Sequence, residues 1–202
     1  RKSIRVNTLK ISITELKERI EHDWVLEQIP WCKEGFWIKH KKDRLDVGNT
    51  IEHTLGYYYV QESASMIPPI VLDPKPNEII LDMCAAPGSK ASQIAQYMHN
   101  DGVLVANDMK GLRLAPLGIN VQRMGISNCI MTLMRGEGFK DILFDKILLD
   151  APCSGTGTIR KSLKTIDIWN PGMIKRLAAQ QKRLITTAWN VLKSGGRLVY
   201  ST

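Results

Sequence analysis

The sequence predicts an α/β chain, an open parallel sheet covered by helices and led by a small α+β region. Three observations carry that prediction. From residue 78 onward, unbroken apolar runs alternate with helical patterns, and strands without polar alternation belong to parallel sheets buried on both faces. Between the first such run and the first helix lie Asp82-Met83-Cys84-Ala85-Ala86-Pro87-Gly88-Ser89-Lys90, the joint at which open α/β sheets hold nucleotide-like ligands. The opening residues differ, with mixed charge, a β-α-β pattern and three of the five tryptophans (Trp24, Trp31, Trp37). Two units are therefore expected, 1–56 and 57–202.

Residues 5–9 read as a short strand. A helix follows, capped by Ser12 or Thr14, with Leu16 and Ile20 on one face. A second strand is expected at 35–39, and the tryptophans as packed core. Residues 57–67 join the two units, with a short helix from about Glu62 that Pro68-Pro69 stops. The main unit then runs strand 78–83, helix 89–98, strand 103–108, helix to Gly125, and strands 128–134 and 145–150. Pro116 fits that second helix only in its first turn or at a kink, which places the start near Leu112. Asn170 as N-cap and Pro171 as first residue open a long helix. Its apolar face is Ile174, Leu177, Ala178, Gln181, Leu184, Ile185, Ala188, Val191 and Leu192, ended by Gly195-Gly196. Residues 197–202 form a last strand whose open apolar edge calls for further C-terminal strands, missing from this sequence.

The loop narrows the ligand by what it lacks. A dinucleotide site needs Gly-x-Gly-x-x-Gly, whereas only Gly88 is present, and a P-loop needs lysine directly after glycine, whereas Ser89 intervenes before Lys90. Asp108 closes the next strand 20 residues after Gly88, the position of a ribose-binding acid. Ribose without pyrophosphate points to S-adenosylmethionine. Asp150, Pro152 and Cys153 follow a later buried strand and reach the same sheet edge, so an acid and a thiol face that cofactor. A thiolate adding to carbon 6 of a pyrimidine makes carbon 5 nucleophilic enough to take a methyl group.

The 202 residues are 44% hydrophobic and 24% charged, enough for one domain and an appendage. No apolar run nears the ~18 residues of a membrane span, and the N-terminus has no signal-peptide pattern. Cys32, Cys84, Cys129 and Cys153 are scattered without metal-ligand spacing. No metal, no membrane and a reducing, cytoplasmic setting are expected, with Cys32 and Cys129 as packing residues and the chain a monomer. The net charge of +8 lies in residues 156–202, which hold nine basic and one acidic side chain. Arg160, Lys161, Lys164, Lys175, Arg176, Lys182 and Arg183 form a phosphate-facing footprint next to Asp150 and Cys153. Lys39, Lys41, Lys42 and Arg44 near the tryptophans turn the N-terminal region toward RNA as well.

Five stretches, Arg5-Val6-Asn7-Thr8, Tyr59-Val60-Gln61-Glu62, Cys84 to Lys90, Asp150-Ala151-Pro152-Cys153-Ser154-Gly155 and Tyr200-Ser201-Thr202, resemble the Nop/Sun family of RNA cytosine-5 methyltransferases across essentially the whole chain. The resemblance implies a Rossmann-like class I methyltransferase sheet and S-adenosylmethionine bound by Cys84, Ala85, Ala86, Pro87, Gly88, Ser89, Lys90 and Asp108. It places Asp150 between cofactor and target base, supported by Lys90. Cys153 matches the cysteine that assists product release. The attacking cysteine is expected just past Thr202, so the chain is expected to be a fragment that cannot methylate RNA by itself. A compact accessory region favours transfer RNA over ribosomal RNA. One departure stands out: where the family offers Asp or Asn to the adenine amino group, a gapless register puts Arg135, a pure donor, with either Glu137 as the substitute or a slip of the register. Two other readings stay open: a DNA cytosine-5 methyltransferase with Cys153 as nucleophile, and a module that binds cofactor or RNA without reacting.

Overall fold

The computed structural model describes residues 1–158, 167 and 169–202. The basic residues Arg160, Lys161 and Lys164 lie outside the described residues. An antiparallel sheet in the order β2-β3-β1-β4 is built from β1 (Ser3–Val6), β2 (Trp24–Gln28), β3 (Gly35–His40) and β4 (Tyr58–Val60). Helix α1 (Ile13–Ile20) packs Leu16 and Ile20 into its core beside Trp24, Phe36 and Tyr58. Ser12 caps α1 in a full capping box with Glu15. Trp24 is core as expected, whereas Trp31 is exposed.

Several boundaries differ from the sequence reading. β1 ends at Val6 rather than residue 9 because Asn7 turns the chain: its Nδ2 donates to the Gly56 and Met124 carbonyls at 2.8 Å each. β2, unanticipated, is an edge strand whose exposed Val25, Glu27 and Gln28 mask the strand pattern. β4 falls in the stretch read as a joint and pairs with β1, so the first sheet extends past residue 56. After a short helix α2 (Ile51–Thr54) and β4, a 3₁₀ turn at Ser63–Met66 leads into α3 (Ile67–Leu72). Pro68 and Pro69 open that helix instead of stopping a previous one. They occupy its first turn, where backbone N–H groups have no intrahelical acceptor to lose.

The second sheet is parallel, in the order β7-β6-β5-β8-β9, with β5 (Ile79–Asp82), β6 (Val103–Asp108), β7 (Cys129–Leu133), β8 (Phe144–Asp150) and β9 (Leu192–Ser201). Helices α4 (Ser89–Tyr97) and α5 (Gly111–Met124) cover one face, burying Ile94, Ala95, Leu117 and Met124 on Ile80, Leu104 and Leu148. On the other face α6 (Pro171–Asn190) seats Leu184 and Ala188 on Leu81, Ile147 and Leu149. Cover is uneven. Only a 3₁₀ turn, Gly136–Gly138, lies between β7 and β8, so Ile130, Met131 and Leu133 on edge strand β7 remain exposed.

α5 starts at Gly111 and carries Pro116 inside it, past the first turn. Asn170 caps α6, its Oδ1 accepting the Met173 N–H at 2.8 Å. The buried face of α6 is narrower than its pattern, since Ile174, Ala178 and Ile185 are exposed. Gly195-Gly196 does not end that helix. It lies inside β9, where Gly195 takes φ +77° and the register slips between Phe144 and Lys146, a bulge that glycine permits. Among the described residues, no helix is long and apolar enough to cross a membrane.

Candidate active site

The carboxyl ends of β5, β6 and β8 bring the site together. After β5 the chain turns sharply at Gly88, whose φ of +106° starts α4 and whose N–H donates to the Ala85 carbonyl at 2.7 Å. A Cβ there would sit 3.0 Å from Leu117, so both conformation and space call for glycine. The loop is tied from outside: Arg113 donates to the Ala86 carbonyl, Asn120 to the Pro87 carbonyl at 2.9 Å, and the Ala85 N–H to the Asn107 carbonyl at 2.7 Å. Ala85 and Ala86 are packed into the core. The loop is a rigid shelf.

Two cavities meet at β8. The first, about 510 Å³, is lined by Cys84, Asp108, Arg113, Glu137, Asp150 and Cys153, with Met83, Met109 and Leu184 as apolar wall. The second, about 560 Å³, is lined by Lys90, Asp150, Cys153, Glu62, Ser65, Ser201 and Thr202. Asp150 and Cys153 stand on the wall they share. Of the residues singled out from the sequence, Cys84, Asp108, Asp150, Cys153 and Lys90 thus face a cavity, while Ala85, Ala86, Pro87, Gly88 and Ser89 shape the shelf.

Asp150 is held by both oxygens. Lys90 Nζ donates to Oδ2 at 2.7 Å and Ser201 Oγ to Oδ1 at 2.8 Å, while the Ala151 N–H binds the Ser201 carbonyl at 2.8 Å. Its direction is therefore set by α4 and β9 together. Cys153 is exposed at the cavity mouth, and Gln181 Nε2 donates to the neighbouring Pro152 carbonyl at 2.7 Å. Cys84 is different. Burial first, then Asp82, Asp108 and Asp150, push its thiol up to about 12, so it stays protonated and is no nucleophile at neutral pH.

The first cavity fits a ribose-bearing ligand. Asp108 is buried, its Oδ1 takes the Lys110 N–H at 3.0 Å, and its Oδ2 makes no hydrogen bond, though Arg113 Nη1 stands 3.1 Å away off-axis. An acid lining the cavity with one oxygen free of hydrogen bonds among the described residues suits vicinal hydroxyls, which would share that oxygen with Arg113. Arg135 is 69% exposed in its side chain and does not line the cavity. Glu137 does line it, held by Arg135 at 3.5 Å and Arg183 at 3.4 Å. These contacts and its own backbone outweigh burial and keep its carboxyl below the usual range.

Sequence reasoning left four residues without a role. Asn107 ties the strand ends, giving Nδ2 to the Met83 and Met134 carbonyls at 3.1 and 3.0 Å and accepting Thr132 Oγ1 at 2.9 Å. Arg113 links Asp108 to the loop and Ser201 steadies Asp150. Asp82, fully buried, has no hydrogen-bond partner on either oxygen among the described residues. Burial, reinforced by Asp150 and opposed by Lys90, pushes its carboxyl up to about 7. The visible signal was a lone acid closing an apolar run. Cys32 is buried as expected and Cys129 half-buried against the first core, its thiol pushed up to about 12 chiefly by burial.

Comparison with known proteins bears on the family and the fold. The family model for 16S rRNA methyltransferase RsmB/F matches residues 69–202, and that for the N-terminal domain of 16S rRNA methyltransferase RsmF matches residues 1–63. The whole chain is 49% identical to the tRNA (cytosine(49)-C(5))-methyltransferase of Pyrococcus abyssi, covering 65% of it. It is 46% identical to the ribosomal RNA small subunit methyltransferase F of Shewanella oneidensis, covering 44% of it. A methyltransferase homolog from Pyrococcus horikoshii superposes with a TM-score of 0.87 at 42% identity, over 98% of this chain and 63% of that one. The chain thus spans between about half and two thirds of the length of these relatives. The chain belongs to the Nop/Sun family of RNA cytosine-5 methyltransferases, with an RsmB/F methyltransferase domain of the class I Rossmann-like fold.

Proposed function

We propose that this chain carries the cofactor site and most of the catalytic centre of an enzyme that methylates carbon 5 of a cytosine in RNA. The observation that carries the reading is Asp150, clamped by Lys90 and Ser201 on the wall between two cavities, with Cys153 beside it. S-adenosylmethionine supplies an electrophilic sulfonium methyl when bound. In the first cavity Asp108 would hold its ribose, the Cys84–Lys90 shelf would support it, and Glu137 would take the adenine amino group in place of Arg135. In the second, a flipped-out cytosine lies against Asp150, which accepts a hydrogen bond from its polar edge.

The attacking thiol is the one that the family resemblance places directly after the Ser201-Thr202 pair, and Ser201 and Thr202 line the second cavity. Its sulfur adds to carbon 6, carbon 5 takes the methyl, and Cys153 assists loss of the carbon 5 proton and elimination of the sulfur, restoring the double bond. The substrate is transfer RNA, favoured over ribosomal RNA by the small accessory sheet. Lys175, Arg176, Lys182 and Arg183 on α6 and the basic edge of the N-terminal region meet its phosphates. Four free thiols suit a cytoplasmic setting, and a site drawn from one chain suits a monomer. Bisulfite mapping of transfer and ribosomal RNA methylated by the full-length protein tests this. One protected cytosine in transfer RNA is expected; no new 5-methylcytosine in either RNA would refute it.

A further inference from the structure

Arg5, in strand β1 of the N-terminal sheet, is fully buried and bonds no carboxylate. Its guanidinium serves five neutral oxygens: Gln61 Oε1, the Ser89 carbonyl at 2.9 Å, Ser92 Oγ at 2.9 Å, Gln96 Oε1 at 3.2 Å and Gln93 Oε1 at 3.4 Å. It also lies over the Tyr59 ring, 5.7 Å from the centroid. Burial lowers it to about 10, so it remains a cation at neutral pH. A buried cation with no carboxylate bonded to it is an expensive way to fill space, and an apolar side chain would pack there more cheaply. Its contacts indicate what it does instead.

Two of those bonds reach two separate segments that line the second cavity. The Ser89 carbonyl precedes Lys90, whose ammonium holds Asp150 at 2.7 Å. Gln61, fixed through its Oε1, donates from Nε2 to the Ser65 carbonyl at 3.1 Å, within the turn that supplies Ala64 and Ser65 to the same cavity's lining. By contrast, Gln96 lies deeper along α4 and does not line that cavity. We propose that Arg5 is a positioning residue that sets the spacing between the Lys90–Asp150 pair and the turn at residues 63–66. The N-terminal sheet is then part of the catalytic centre as well as an RNA handle. This rests on the reading of the second cavity as the base site.

The test uses the full-length protein with Arg5→Lys, Gln61→Met and Gln96→Met, assayed for RNA methylation, cofactor affinity and hydrogen exchange. Gln61→Met and Gln96→Met each remove one bond to Arg5, but only the first also cuts a tie to the cavity lining. Arg5→Lys is expected to lower kcat at least tenfold and Gln61→Met about fivefold, with cofactor affinity within about threefold of the parent. Gln96→Met should keep kcat within about twofold. Amides at 62–66 and 89–91 should exchange faster in Arg5→Lys and Gln61→Met, ahead of the core strands. Equal kcat losses for Gln61→Met and Gln96→Met, or no loss for either, would overturn the proposal. If Arg5→Lys does not fold, the two glutamine variants decide it. If the parent fails to methylate RNA, the functional reading falls, while exchange at the two segments, measured without RNA, still decides the positioning role.

Discussion

Replacing Asp82 with Asn should make the ligand-free protein more stable at pH 8 than the parent, and by an amount that depends on pH. Asp82 is buried, neither oxygen has a hydrogen-bond partner among the described residues, and its carboxyl is raised from 3.8 to about 7. Between those values the folded chain keeps a proton that the unfolded chain has released, so stability falls as pH rises from about 4 to about 7. A shift of about three units corresponds to ~4 kcal/mol at most, at about 1.4 kcal/mol per unit. Asn has the same shape and never ionises. Urea denaturation of both proteins at pH 5 and pH 8 isolates this effect, because every other titrating group cancels in the difference. Asp82→Asn should already lead by roughly 1.5 kcal/mol at pH 5 and by about 4 kcal/mol at pH 8, so the gap should widen by about 2 to 3 kcal/mol between them. A difference independent of pH would show that Asp82 is ionised and compensated throughout.

Asp108→Ala should weaken S-adenosylmethionine binding roughly ten- to a hundredfold, the range for losing one or two hydrogen bonds to a charged acceptor; unchanged affinity by calorimetry would remove Asp108 from the site. Glu137→Gln should weaken the cofactor without changing its affinity for a nucleoside analogue lacking the adenine amino group, and equal losses for both would mean that Glu137 does not read that group. Replacing Lys175, Arg176 and Lys182 together by Ala should weaken RNA binding and flatten the log-log salt slope by about 0.7 to 0.9 for each phosphate left without its cation. An unchanged slope would make α6 a solvated face.

The parallel sheet was legible because its strands are short, apolar and separated by helices with clear start signals, as at Asn170-Pro171. The loop and the acids of the site were legible because Gly88, Asp108 and Asp150 each follow or end a strand. Less visible was what depends on pairing across the chain. β2 and β4 carry no strong pattern and exist because β3 and β1 offer partners. Pro68-Pro69 can stop one helix or start another, and tertiary packing of Pro69 and Leu72 chose the second. Gly195-Gly196 reads as a helix stop, yet α6 had ended at Asn190 and the pair forms a bulge in β9. Arg5 looked like one letter of a motif. Only the fold brings five oxygens around it from α4 and the segment after β4.

The proposed mechanism turns on Cys153, beside Asp150, releasing a methylated cytosine rather than attacking it. The decisive experiment is a denaturing gel of the full-length Cys153→Ser protein incubated with RNA and S-adenosylmethionine. A covalent protein–RNA band that persists under denaturation is predicted, because attack by the other thiol survives while elimination fails. Loss of methyl transfer with no such band would overturn this assignment and make Cys153 the nucleophile.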